Sequence, residues 1–176
     1  MSISFNSLEK SLIEQQKNTH EICRLFAKSP SRGNLKRLKG TFAQCGEQVV
    51  IEAGFHCDYG SGIKIGDRTF ININCTVLDA PLSDAQITIG DDCLIGPNVQ
   101  LLAVSHAVNP TERLAKANFA APISIGNNVW IGAGAIILAG IKVADNAVIG
   151  AGAIVTKDVA ENTLVAGNPA VKIKDI

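Results

Sequence analysis

The chain has three histidines, His20, His56 and His106, and they carry most of the chemistry its side chains offer. An imidazole titrates close to neutrality and is the side chain best matched to taking a proton from a hydroxyl there. His106 opens the stretch SHAVNPTER, at the point where a regular pattern breaks off, and is the candidate general base. His20 falls on the polar flank of a predicted helix and reads as solvated, and His56, in GFHCDYG, reads as structural. Nothing pairs with His106 as a nucleophile, so a substrate hydroxyl would have to attack directly. No two histidines lie a few residues apart, so no metal site is expected.

The elements that must position His106 follow two different rules. From Ser7 to Lys28, Leu8, Leu12, Thr19, Ile22, Cys23 and Phe26 recur at steps of three and four before Pro30, which predicts an amphipathic helix. A second short helix is predicted from Asn34 to Lys39. Beyond Cys45 the period becomes six, with Ile125, Ile131, Ile137, Val143, Ile149 and Val155 in one phase. The same phase holds upstream at Ile65, Ile71 and Val77 and again at Ile89, Ile95 and Leu101. A smaller residue often stands two positions earlier, as at Val129, Ala135, Ala147 and Ala153.

Such a pattern describes short strands turning three times per coil, a triangular prism in which each coil completes the burial of its neighbours. Asn and Gly close behind the anchors suit corners that need positive φ. The phase is missed at Ser83 in APLSDAQ, and anchors are absent between Leu101 and Ile125. A long excursion from a regular solenoid is where function concentrates. These boundaries divide the chain into a helical segment, 1–44, and a coiled domain, 45–176, with an excursion at about 105–122.

Composition narrows the function classes. Sixteen basic and sixteen acidic side chains among 176 residues give zero formal charge, which argues against nucleic acid as a partner. Eight basic and three acidic residues fall within 1–40, so the head is +5 and the body −5, a bias read as the solvated face of a helix. Five cysteines, Cys23, Cys45, Cys57, Cys75 and Cys93, form no CxxC and read as buried thiols. No apolar run approaches a membrane span and MSISFNSLEK has no leader pattern, so no membrane partner and a cytoplasmic location are expected.

The hexads resemble the left-handed parallel β-helix of the hexapeptide-repeat family, and the handedness is implied by that resemblance alone. The expected fold is therefore all-β, with a short helical segment at the N-terminus. More narrowly, FHCDYGSGIKIG, FININCTVLD, ITIGDDCLIGPNVQL, SHAVNPTER, PISIGNNVWIGAGAIILAGIKV, AVIGAGAIVTKDV and VAGNPAVKI resemble, in order, the galactoside, maltose and nodulation O-acetyltransferases, over roughly residues 45 to 173. The resemblance implies acetyl transfer from acetyl-CoA to a hydroxyl of a sugar or similar acceptor, in a homotrimer with sites between adjacent prisms. It implies His106 as the base and Asn72 beside it as a donor to the developing charge or to the acceptor, with Asn74 as the rival of Asn72.

By the same resemblance Asp58 contacts the acceptor, and Arg113 either braces the excursion or binds acceptor. Trp130, Ala133, Ala151, Thr156 and Lys157 fall on positions lining the cofactor groove, and Lys172 and Lys174 are the late cations available to the nucleotide phosphates. The chain also departs from its relatives. The head is shorter and lacks the usual acidic acceptor contact, Ala80 replaces a carboxylate, Ala117 stands where Glu is common, and Val171 and Lys174 stand where arginines often occur. Two alternatives remain open at this point: a catalytically silent hexapeptide scaffold, and a zinc hydratase of the carbonic-anhydrase kind.

Overall fold

A computed structural model describes residues 2–176. Helix α1 (Lys10–Lys28) and helix α2 (Arg32–Lys39) lead into a prism of short parallel strands. Of the residues whose spacing predicted α1, Thr19, Cys23 and Phe26 are buried, whereas Leu8 precedes the helix and is exposed. α2 starts where the Ser31 side chain accepts from the Asn34 amide, a cap that satisfies one of the helix's orphan donors. Leu38 of α2 is fully buried and joins Cys23, Phe26 and Phe42 in one continuous core with the coils.

The prism is a left-handed parallel β-helix with three faces. The first face stacks the strands at 44–45, 63–65, 87–89, 123–125 and 142–143. The second begins at 50–51 and runs through 70–71, 94–95, 130–131 and 148–149 to an antiparallel hairpin, Thr163–Gly167 with Ala170–Asp175. The third stacks 56–57, 76–78, 100–102, 136–138 and 154–155. Every predicted anchor is buried, and the anchors pair directly: Ile65 with Ile89, Ile89 with Ile125, Ile125 with Val143. Each such side chain contributes about 1.5–3 kcal/mol of burial once its neighbours are in place.

The corners explain the Asn and Gly signal. The third residue after an anchor repeatedly adopts positive φ, as at Asn74, Asn98, Asn128 and Asn146. There the short amide tolerates the left-handed region and also bonds between coils, Asn128 donating to Asn146 at 2.9 Å and Asn146 to Asn162 at 3.0 Å.

The added residues fall on one edge. Between the third face and the first, the chain inserts extra residues after Cys57, after Leu78 and after Leu102, whereas Leu138 returns to Lys142 by a short turn. The Ser83 gap is the second of these insertions and contains a single 3-10 turn, Ser83–Ala85.

The largest insertion is more ordered than its sequence suggests. Val104–His106 pairs antiparallel with Asn118–Ala120, and the tip carries a short helix, Pro110–Arg113, capped by the Asn109 side chain. Ile3–Phe5 adds a third strand on the outside, Ile3 opposite Ala120 and Phe5 opposite Asn118. This strand was not predicted, because three residues far from their partner in sequence carry no local signal. It ties the N-terminus to the hairpin that presents His106, and Asn118 reinforces it by donating to the Ser7 hydroxyl at 2.6 Å.

Candidate active site

His106 ends the first strand of the hairpin and its side chain is exposed. Its Nδ1 lies 3.4 Å from the Ala117 carbonyl oxygen, which can only accept, so the neutral ring that makes this bond has its proton on Nδ1 and a lone pair on Nε2. Arg113 donates from Nη1 to the carbonyls of Ala107 and Val108, at 3.3 and 3.1 Å, and so braces the turn that follows His106.

Asp58 stands on the same edge, two coils earlier, directly after Cys57. The loop that carries it is held by Asp79, a carboxylate with no exposed surface that the sequence reading passed over. Asp79 accepts from the amides of Asp58 at 3.1 Å, Tyr59 at 2.9 Å and Gly62 at 3.0 Å. Burial pushes its carboxyl up from the usual carboxylate range, and the backbone donors of Tyr59 and Gly62 hold it back. Its position after a strand, in VLDA, was the only hint available.

α1 packs over this loop. Thr19 donates to the Tyr59 carbonyl at 3.1 Å, Gln15 to the Ser61 hydroxyl at 2.8 Å, and His20 Nε2 meets Asp58 Oδ1 at 3.0 Å. His20 is thus half-buried against a carboxylate and not solvated, because helix packing turns that flank toward the first coil. His56 lies beside it, the ring centroids 4.6 Å apart. Behind them the Cys23 and Cys57 sulfurs are 3.9 Å apart, and all five cysteines are free thiols. Their shared hydrogen bond lowers the Cys23 thiol and raises Cys57, while hydrogen bonding to Cys23 raises the His56 imidazole.

A different edge carries the groove. Between the second and third faces, a hollow of about 770 Å³ is lined by Asn72, Leu94, Trp130, Gly132, Ala133 and Ala151, among others. Trp130 is 55% exposed and Leu94 53%, an apolar strip left open on a single chain. Coils approach closely here: a Cβ on Gly132 would meet the Ala151 amide nitrogen at 2.5 Å. Asn72 Oδ1 accepts from the Ile73 amide at 2.8 Å, which leaves its Nδ2 free to donate outward. Asn74 instead sits at positive φ with its side chain against Gly54, a corner residue.

The predicted cofactor residues divide. Trp130, Ala133 and Ala151 share the groove with Asn72, whereas Thr156, Lys157 and Lys172 line a second hollow of about 350 Å³ toward the C-terminus. Lys172 is paired with Asp175 at 2.6 Å, and Lys174 lies exposed opposite Leu164 in the terminal hairpin. Val171 also lines the second hollow. Among the described residues, no helix is long and apolar enough to cross a membrane.

Comparison with known proteins gives this geometry a context. The family model described as the hexapeptide repeat of succinyl-transferase matches residues 86–101 and 122–157. Nodulation protein L of Rhizobium meliloti is 49% identical over 133 residues, covering 76% of this chain and 70% of that one. A maltose O-acetyltransferase from Clostridium difficile superposes with a TM-score of 0.91 at 34% identity, covering 99% of this chain and 93% of that one. A galactoside acetyltransferase in complex with coenzyme A superposes with a TM-score of 0.89 at 38% identity, covering 98% and 86%. These similarities extend over most of the chain and over the coiled fold, and the chain belongs to the hexapeptide-repeat acetyltransferases.

Proposed function

We propose that the protein moves an acetyl group from acetyl-CoA directly onto a hydroxyl of a sugar or similar small acceptor, as a homotrimer with its active sites between subunits. The observation that carries this reading is the exposed His106 imidazole, with Nδ1 turned to a carbonyl and Nε2 free. The acceptor oxygen attacks the thioester carbonyl carbon while Nε2 takes its proton, giving a tetrahedral oxyanion with no acyl-enzyme. Collapse breaks the C–S bond, and the imidazolium returns the proton to the departing thiolate.

The outward Nδ2 of Asn72 is placed to donate to the oxyanion or to the acceptor. Asp58, one oxygen held by His20, offers the other to an acceptor hydroxyl. Trp130, Ala133 and Ala151 give the pantetheine arm an apolar wall and close backbone approach. Thr156, Lys157, Lys172 and Lys174 sit toward the C-terminus, where the nucleotide end would lie, the lysines acting as point charges on phosphate. Arg113 works through the excursion, by bracing it. Juxtaposing the two bound reactants in one intersubunit cleft supplies much of the remaining acceleration.

The test is thiol release from acetyl-CoA across a panel of sugars, with the acetylated product identified by mass. Turnover should fall roughly a hundred- to ten-thousand-fold in His106→Ala, with oligomer size and coenzyme A binding unchanged. If no sugar accelerates thiol release above the hydrolytic background, the acceptor class is wrong.

A further inference from the structure

One cluster is not used by acetyl transfer as derived above. His20, His56 and Asp58 each place one ligand-capable atom within 4.8 Å of the other two, in the crevice between α1 and the first coil. From this juxtaposition we propose a binding site for a zinc-class divalent transition-metal ion, ligated by the two imidazoles and the Asp58 carboxylate. The proposal departs from the expectation drawn from sequence, which rested on histidine spacing along the chain; the fold removes that objection for His20 and His56.

The donor set selects the class of ion. Two imidazoles with one carboxylate suit zinc and its neighbours, whereas magnesium and calcium seek oxygen donors. In a tetrahedral site with bonds of about 2.0–2.1 Å, ligand atoms stand roughly 3.3 Å apart. The pair His20 Nε2 and Asp58 Oδ1, at 3.0 Å, is already near that spacing. The two rings lie 4.6 Å apart between centroids with a tilt of 45°, and the three ligand atoms already stand within 4.8 Å of one another.

Each ligand rides on an anchored element, so the site needs no refolding to form. His20 follows Thr19, whose hydroxyl pins α1 to the Tyr59 carbonyl. His56 pairs with Thr76 on the third face, and the Asp58 amide is held by Asp79. The side chains of His20 and Asp58 are 27% and 20% exposed, which gives an ion a path in. Arg24, whose charge bears on His56, is bound to Glu21 at 2.7 Å, which offsets its repulsion. His106 is outside the cluster. An ion held on Oδ1 would draw charge from the Asp58 carboxylate and weaken the bond of its other oxygen to an acceptor hydroxyl, a consequence that rests on the acceptor role proposed for that residue.

The experiment titrates the full chain, stripped with chelator, with Zn²⁺ and in parallel with Mg²⁺, following heat and thermal midpoint. The expected result is one Zn²⁺ per chain, a raised midpoint, and no response to Mg²⁺ at the same concentration. His20→Asn and His56→Asn should each weaken binding by at least about tenfold, and His106→Ala should leave it unchanged. His20→Asn, on the helix surface, decides the matter should His56→Asn fail to fold. Absence of zinc binding, or binding undiminished in a folded His20→Asn variant, overturns the site. Zinc should also raise KM for the acceptor in the wild type and not in His20→Asn. Zinc bound at the histidines with KM unmoved would keep the site and remove Asp58 from acceptor binding.

Discussion

Asn72 and His106 stand on different edges of the same prism, Asn72 where the second face turns into the third and His106 where the third turns into the first. The groove that Asn72 lines does not include His106. The proposed site draws the two from neighbouring copies, the excursion of one laid against the groove edge of the next.

Subunit complementation tests this arrangement. Asn72→Ala and His106→Ala should each be inactive alone, yet mixed trimers formed by unfolding and refolding the two together should recover about a quarter of wild-type activity, because random assembly leaves that share of sites intact. Mixed trimers without activity would place both residues in the same subunit's site, and an active Asn72→Ala variant would remove Asn72 from the chemistry.

Asp79 should matter to stability more than its distance from the chemistry suggests. Asp79→Ala orphans the amides of Asp58, Tyr59 and Gly62 in a buried turn and should cost at least about 2 kcal/mol in urea denaturation. Asp79→Asn keeps one accepting oxygen and should cost less. A variant with wild-type stability would mean that the turn is held by other contacts.

Cys75 should resist alkylation in the folded protein. Its sulfur is buried and donates to the Gly96 carbonyl at 3.2 Å, and burial pushes the thiol up to about 11. At pH 8 only on the order of a thousandth of such a thiol is thiolate, and that fraction grows tenfold per pH unit until the pKa is reached. Peptide mapping after iodoacetamide should show Cys75 labelled slowly at pH 8, faster with rising pH, and at an ordinary thiol rate in urea. Equal rates with and without urea would contradict its burial.

The hexad anchors were legible because their burial depends only on the period of the chain: a branched side chain at every sixth position can be hidden only by its own repeat above and below. Ile65 through Val155 could therefore be placed before any coordinates were known, and so could the corners with positive φ at Asn and the break in coiling that exposes His106. The family motifs added Asn72, Asp58 and the groove residues to that frame.

What could not be read were contacts closed by distance in space between segments remote in sequence. Ile3–Phe5 against Asn118–Ala120, His20 against Asp58, and Asp79 beneath the loop at 58–62 each join elements with no shared period. Nothing local favours such pairs; they exist only once the prism has fixed where its insertions emerge, on one common edge, and α1 has packed against it. Sequence thus determined the coil and its phase, because repetition is a local property. Tertiary structure decided which side chains crowd that edge, because crowding depends on how the insertions and the head fold back upon it.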